Sequence, residues 1–223
     1  ALTREPITLT QAKEQLKPML AARAAEVTVP RVIDVVAAYY GLRPRDLTGP
    51  SRQRQVTGAR QVAMYAEQLA KLNGCDPDWI YLAGLYHDLG KTLDLEAMRK
   101  TAEAEGVKFD EMEANSGLLL HSAASAALFQ KEMRAPDVFV RAVRGHTVGA
   151  APFGKEEQIL YVSDFAEPTR SYEECVSVRK TAERSLPLAV LEAVVFKIRF
   201  VMLRGMLIHP GSVALYNHLA RRP

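Results

Sequence analysis

Apolar residues recur at intervals of three and four along nearly the whole chain, and no convincing run of strict apolar–polar alternation interrupts them. A period near 3.6 turns one helix face toward a core, whereas a half-buried strand needs a period of two. The chain is therefore expected to be all-α. The pattern predicts helices over 10–22, 30–40, 56–72, 76–89, 95–105, 116–131, 136–145, 155–165, 172–185, 187–204 and 212–221. Local signals support several of these ends. Asp76 followed by Pro77 reads as an N-cap with proline at the first helical position, Gly74 closes the helix before it, and Pro136 can open another. A chain of 223 residues, 48% of them hydrophobic, can bury a full core with room for a small extension.

The longest apolar stretch, 186–203, is broken by Glu192, Lys197 and Arg199. It reads as a helix packed on a core, and no membrane span is expected. The opening Ala1-Leu2-Thr3-Arg4-Glu5 carries no apolar leader, and Cys75 and Cys175 match no disulfide framework or zinc spacing. A reduced, cytoplasmic protein is the expectation. Composition shifts once. Residues 41–60 are rich in Arg, Gly and Pro, and Arg43, Arg45, Arg52, Arg54 and Arg60 face only Asp46 as an offset. A boundary is placed in this stretch, giving a helical N-terminal segment 1–55 and a main domain 56–223.

The residues with the most chemistry lie in Ala83-Gly84-Leu85-Tyr86-His87-Asp88-Leu89-Gly90-Lys91. An imidazole and a carboxylate side by side at the end of an apolar helix can both bind a divalent cation, and the two oxygens of Asp88 can bridge two. Gly90 is expected to end the helix, and Lys91 has the reach and charge to touch a phosphate beside the metal. His121 opens a run of small residues that lets backbones approach closely, His146 ends a helical pattern, and Asp164 sits inside the apolar run 159–165. A charged Asp there is costly to bury unless it is paired or metal-bound. Three of the five histidines thus join two isolated acids in one ordered series. His209 and His218 fall outside it and are assigned to structure, His209 with a secondary claim on a ligand pocket.

The order His-Asp, His, His, Asp on helices resembles the HD superfamily. The strings 84–91, 119–123, 144–149, 159–170 and 178–180 are similar to those of YqeK-type symmetrical bis(5′-nucleosyl)-tetraphosphatases, from about residue 58 to the end. The resemblance implies an HD-domain helical bundle that cuts diadenosine tetraphosphate into two ADP molecules. It implies a two-iron centre on His87, Asp88, His121, His146 and Asp164, with Asp88 bridging; manganese, nickel or zinc would also suit these donors. Asp88 and Lys91 would be catalytic, and Lys91, Thr147, Arg170 and Arg179 would contact the nucleotide substrate. A homodimer is one assembly it allows. Hydrolysis of another nucleotide, or nucleotide binding without turnover, are the alternative functions.

The sequence departs from that family at one position. A metal-binding histidine of the first HD helix would fall on or next to Gly58, and no histidine precedes His87. Weaker metal occupancy and reduced activity are the expected consequences. Residues 6–67 carry a second resemblance, to the start of the C-terminal DNA-binding domain of the initiator DnaA, in strings such as 27–42, 51–56 and 59–65. Arg52, Arg54 and Arg60 match positions that meet the DNA backbone there, contacts that would give salt-dependent, sequence-independent affinity. The base-reading half of that domain has no counterpart, so DNA is the minor partner expectation. A fusion that replaced the start of the HD domain would account for both features of the helix at 56–72.

Overall fold

A computed structural model of the chain describes residues 29–39, Gly41, Arg43 and 54–221. The expected helix 10–22 and Arg52 lie outside the described residues, and of Arg54 only the backbone is described. Among the described residues there are eleven α-helices, one 3-10 turn and no strand. They are α1 Val29–Tyr39, α2 Arg54–Asn73, α3 Pro77–Tyr86, the 3-10 turn Leu89–Thr92, α4 Leu95–Ala104, α5 Glu111–Ala114, α6 Gly117–Met133, α7 Asp137–Gly145, α8 Lys155–Ala166, α9 Glu173–Ala182, α10 Leu186–Leu203 and α11 Pro210–Ala220.

Start and stop signals act as expected at several ends. The Asp76 carboxylate accepts from the backbone N–H groups of Asp78 and Trp79, Pro77 takes the first helical position, and Gly74 adopts a φ of +66° behind α2. Two differences from the sequence reading have local causes. The helix expected to reach Leu89 stops at Tyr86, because the chain tightens into the 3-10 turn that carries Gly90 onto α6. A Cβ on Gly90 would lie 2.4 Å from the carbonyl oxygen of His121, so this glycine permits close approach rather than ending a helix. Its N–H donates to Ser125 Oγ at 2.8 Å, within the small-residue run of α6. The second difference is α5, which the periodicity missed. It rests on a capping box in which Asp110 and Glu113 each accept the other's backbone N–H.

One hydrophobic core runs from α1 to α11 and includes the fully buried Val36, Ala37, Leu69, Ile80, Phe129, Leu160, Val190 and Leu215. The described helix of the N-terminal segment is thus packed into the core of the main domain. Helix α2 turns Ala59, Val62, Ala63, Ala66, Leu69 and Ala70 into that core. Gly84 of α3 lies so close to it that a Cβ there would come 2.5 Å from Ala63 Cα. Truncating a fully buried side chain such as Leu160 to alanine would cost about 2–5 kcal/mol. No helix of the described residues is long and apolar enough to cross a membrane.

Candidate metal centre

Four helix ends or faces meet in one place: the end of α3 (His87 and Asp88), the start of α6 (His121), the end of α7 (His146 and Thr147), and α8 (Asp164). Two of the histidines are set by the same local device. The last carbonyls of a helix have no intrahelical donor, and His87 Nδ1 donates to Gly84 O at 2.7 Å while His146 Nδ1 donates to Val143 O at 2.7 Å. Each ring therefore closes its own helix with Nδ1 and presents Nε2 to the shared pocket, the arrangement that orients a metal-binding imidazole. Capping and metal binding, competing explanations for a helix-terminal histidine, use different atoms of the same ring.

The Nε2 atoms converge. His121 Nε2 lies 3.1 Å from His146 Nε2, and the two stand 3.3 and 3.5 Å from Asp88 Oδ1. Thr147 Oγ1 touches both nitrogens, at 3.2 and 3.1 Å. His87 Nε2 is 3.4 Å from Asp88 Oδ2 and 3.6 Å from Asp164 Oδ1. All three imidazoles are buried. Ligand atoms of His87, Asp88 and His146 all fall within 4.8 Å of one another.

These residues fit a divalent cation on their own evidence. Asp88 Oδ1 is buried with no hydrogen-bond partner although it faces two imidazole nitrogens, and a buried acceptor left this way calls for an explanation. A cation between the carboxylate and the lone pairs would supply one. Burial, aided by its imidazole neighbours, lowers the His146 pKa to about 4, so this ring is a neutral donor at ordinary pH. Burial also pushes His87 downward, but the attraction of Asp88 and Asp164 outweighs it and raises the group to about 10. Burial favours the protonated form of Asp88, yet His87, His121 and His146 together hold its carboxyl well below the usual range.

Basic side chains ring the acids. Lys91 Nζ reaches Asp88 Oδ2 at 2.7 Å, and Arg170 Nη2 stands 3.4 Å from Asp164 Oδ1. Lys197 of α10 was not foreseen as a site residue. Its Nζ is 3.7 Å from Asp164 Oδ2, donates to the His146 carbonyl at 2.9 Å, and lies 3.8 Å from the centre of the Tyr161 ring. Burial pulls its ammonium down to about 8, still charged at neutral pH. The signal was available: a lysine inside the apolar run 186–203 raises the same burial question that singled out Asp164.

Two further residues are tied to neighbouring turns and helix ends. Arg179 Nη1 donates to the carbonyls of Ala166, Glu167 and Arg170 at 2.9–3.0 Å. It therefore anchors the turn that carries Arg170. His209 caps α11 by accepting from Gly211 N–H and pairs with Asp110 at 2.9 Å.

An all-helical fold with a His-Asp pair, two further histidines and a later aspartate around one pocket defines the HD class, and the family described as "HD domain" matches residues 59–168. A symmetrical bis(5′-nucleosyl)-tetraphosphatase from Halalkalibacterium halodurans is 30% identical over 169 residues, covering 75% of this chain and 88% of that protein. The chain belongs to the HD-domain family of symmetrical bis(5′-nucleosyl)-tetraphosphatases. A crystal structure from Clostridium acetobutylicum, described as a predicted HD superfamily hydrolase involved in NAD metabolism, superposes with a TM-score of 0.74 at 26% identity, covering 85% of this chain and 97% of that one.

A second family, "Bacterial dnaA protein helix-turn-helix", matches residues 29–72. The DnaA protein of Limosilactobacillus fermentum is 39% identical over 64 residues, 29% of this chain and 15% of that one. The two matches overlap on α2, whose buried face belongs to the core described above.

Proposed function

We propose that this protein hydrolyses dinucleoside polyphosphates at a divalent-metal centre, cutting diadenosine tetraphosphate symmetrically into two ADP molecules. The observation that carries this reading is the convergence of two imidazole nitrogens on a buried Asp88 oxygen with no hydrogen-bond partner, with His87 at the other oxygen and lysine and arginine around them, in a chain that covers most of a tetraphosphatase relative. We read the metal as iron, with manganese, nickel and zinc as chemically suited substitutes, and the cytoplasm, where free nucleotides lie, as its setting.

His87, His121, His146 and Asp88 would hold the ion. When bound, a divalent cation lowers the pKa of water and offsets charge on a phosphoryl group. The chain's own residues do the rest. Lys91 and Arg170 are 48% and 41% exposed, so both can leave their carboxylate partners for phosphate oxygens. Thr147 presents a hydroxyl between the two imidazoles, where it can orient a polar ligand. Arg179 keeps the Arg170 turn in place. The buried pocket walls limit competing water and strengthen these electrostatic contacts.

A substrate panel tests the reading. Diadenosine tetraphosphate should be turned over faster than ATP, a cyclic dinucleotide or NAD, the last a control suggested by the Clostridium protein's description. Preference for a cyclic dinucleotide would replace this reading with another HD phosphohydrolase activity.

A further inference from the structure

We propose that the pocket holds one divalent cation, on its three imidazoles and Asp88, and that Lys197 supplies at Asp164 the positive charge a second cation would bring. The proposal rests on the metal-centre reading above and revises the expected pair of ions to one.

The donors divide unevenly. On one side His121 Nε2, His146 Nε2 and Asp88 Oδ1 lie 3.1–3.5 Å apart, and the oxygen is buried without a hydrogen-bond partner. On the other side the acids face cationic side chains. Asp88 Oδ2 meets Lys91, Asp164 Oδ1 meets Arg170, and Asp164 Oδ2 meets Lys197. Only His87 brings an imidazole to this side. No histidine precedes His87 in the chain, so α1 and α2 can add none.

The three cations are not equivalent. Lys91 and Arg170 are exposed enough to swing into solvent, whereas the Lys197 side chain is 23% exposed and tied at its tip. Its ammonium donates to the carbonyl that ends α7, stands over the Tyr161 ring and faces Asp164. A dication on Asp164 would sit beside this fixed positive charge, in surroundings that screen poorly. Moving Lys197 away would strip the His146 carbonyl of its donor. A carboxylate neutralised by an ammonium built into the core is therefore the more stable arrangement than a second ion there. Once His87 turns its Nε2 to the metal, Asp164 keeps Lys197 and Arg170 as its partners.

The test is metal stoichiometry on the full chain, stripped and then titrated with Mn²⁺ alone. The expected result is one tightly bound ion per chain in the natural protein and two in Lys197→Met, which keeps most of the apolar stem and removes the charge. Lys197→Arg should stay at one. Two ions in the natural protein, or one in a folded Lys197→Met, would overturn the proposal while leaving the metal centre standing. No bound ion at all would overturn the metal-centre reading itself. Should Lys197→Met not fold, the Mn²⁺ electron paramagnetic resonance spectrum of the natural protein decides the matter. An isolated ion gives a resolved hyperfine pattern and supports the proposal; an exchange-coupled pair contradicts it.

Discussion

The two sides of the pocket are built from the same residue types and differ in what faces them. On the imidazole side, His146 spends one ring nitrogen on a helix end and offers the other, beside that of His121, to a carboxylate oxygen with no hydrogen-bond partner. On the Asp164 side, each carboxylate oxygen already faces a side-chain cation. The contrast teaches that a count of ligand-type residues does not count metal ions. A carboxylate whose two oxygens both face cations has a weaker claim on a metal than one with a free buried oxygen, and in the proposed arrangement Lys197 supplies that cation at Asp164 from a helix far along the chain.

The largest effect should come from Asp88→Ala, which removes the one carboxylate that meets all three imidazoles. It should lower turnover by on the order of 10³-fold or more and abolish stoichiometric metal binding. Retained activity would break the comparison at its root. Asp164→Asn should separate the two sides. We expect it to keep the bound ion, measured by metal analysis, while turnover falls by about 10–100-fold, as for a residue beyond the ligands that shapes the site. Loss of the ion together with Asp164 would make that residue a ligand after all.

Protons sharpen the contrast further. In the metal-free protein Asp88 and Asp164 keep His87 charged up to about pH 10. A cation must displace that proton. Metal uptake should therefore release a proton, and apparent affinity should rise with pH, by up to about tenfold per unit below pH 10. Calorimetry in buffers of different ionisation enthalpy measures the release; an affinity that falls as pH rises would contradict the sign.

The smallest effect is expected at Gly58. A Cβ there meets nothing within 4 Å, so a larger side chain can be built at that point of α2. Gly58→His alone should leave one ion per chain. Combined with Lys197→Met it should tighten the second ion by about 10–100-fold, read by Mn²⁺ titration. No tightening in the double variant would mean that position 58 does not face the pocket.

Much of this was legible in the sequence, for reasons that differ by residue. The helices followed from periodicity, and most ends fall within two residues of expectation. Two ends differ by three residues: α3 gives way early to the 3-10 turn, and α9 stops short because Ser185 leaves the helix to cap α10. His87-Asp88 stood out because two ligand types sit side by side, and Asp164 because a charge in an apolar run must have a partner. Lys197 meets that same criterion less sharply, because Glu192 and Arg199 share its run and a charge among other charges can face solvent. Arg179 could not be placed from sequence: an arginine that holds three backbone carbonyls and one that holds a phosphate look alike until the turn at 166–170 is folded against it. The α5 capping box was visible as Asp110-x-x-Glu113, but its four residues are too few to show a period.

The most direct test is the cleavage of diadenosine tetraphosphate by the purified chain, with products resolved before and after chelation of its metal. The account predicts ADP as the only nucleotide product, activity lost on chelation and restored by a divalent cation. ATP with AMP as products, or turnover indifferent to chelation, would contradict it.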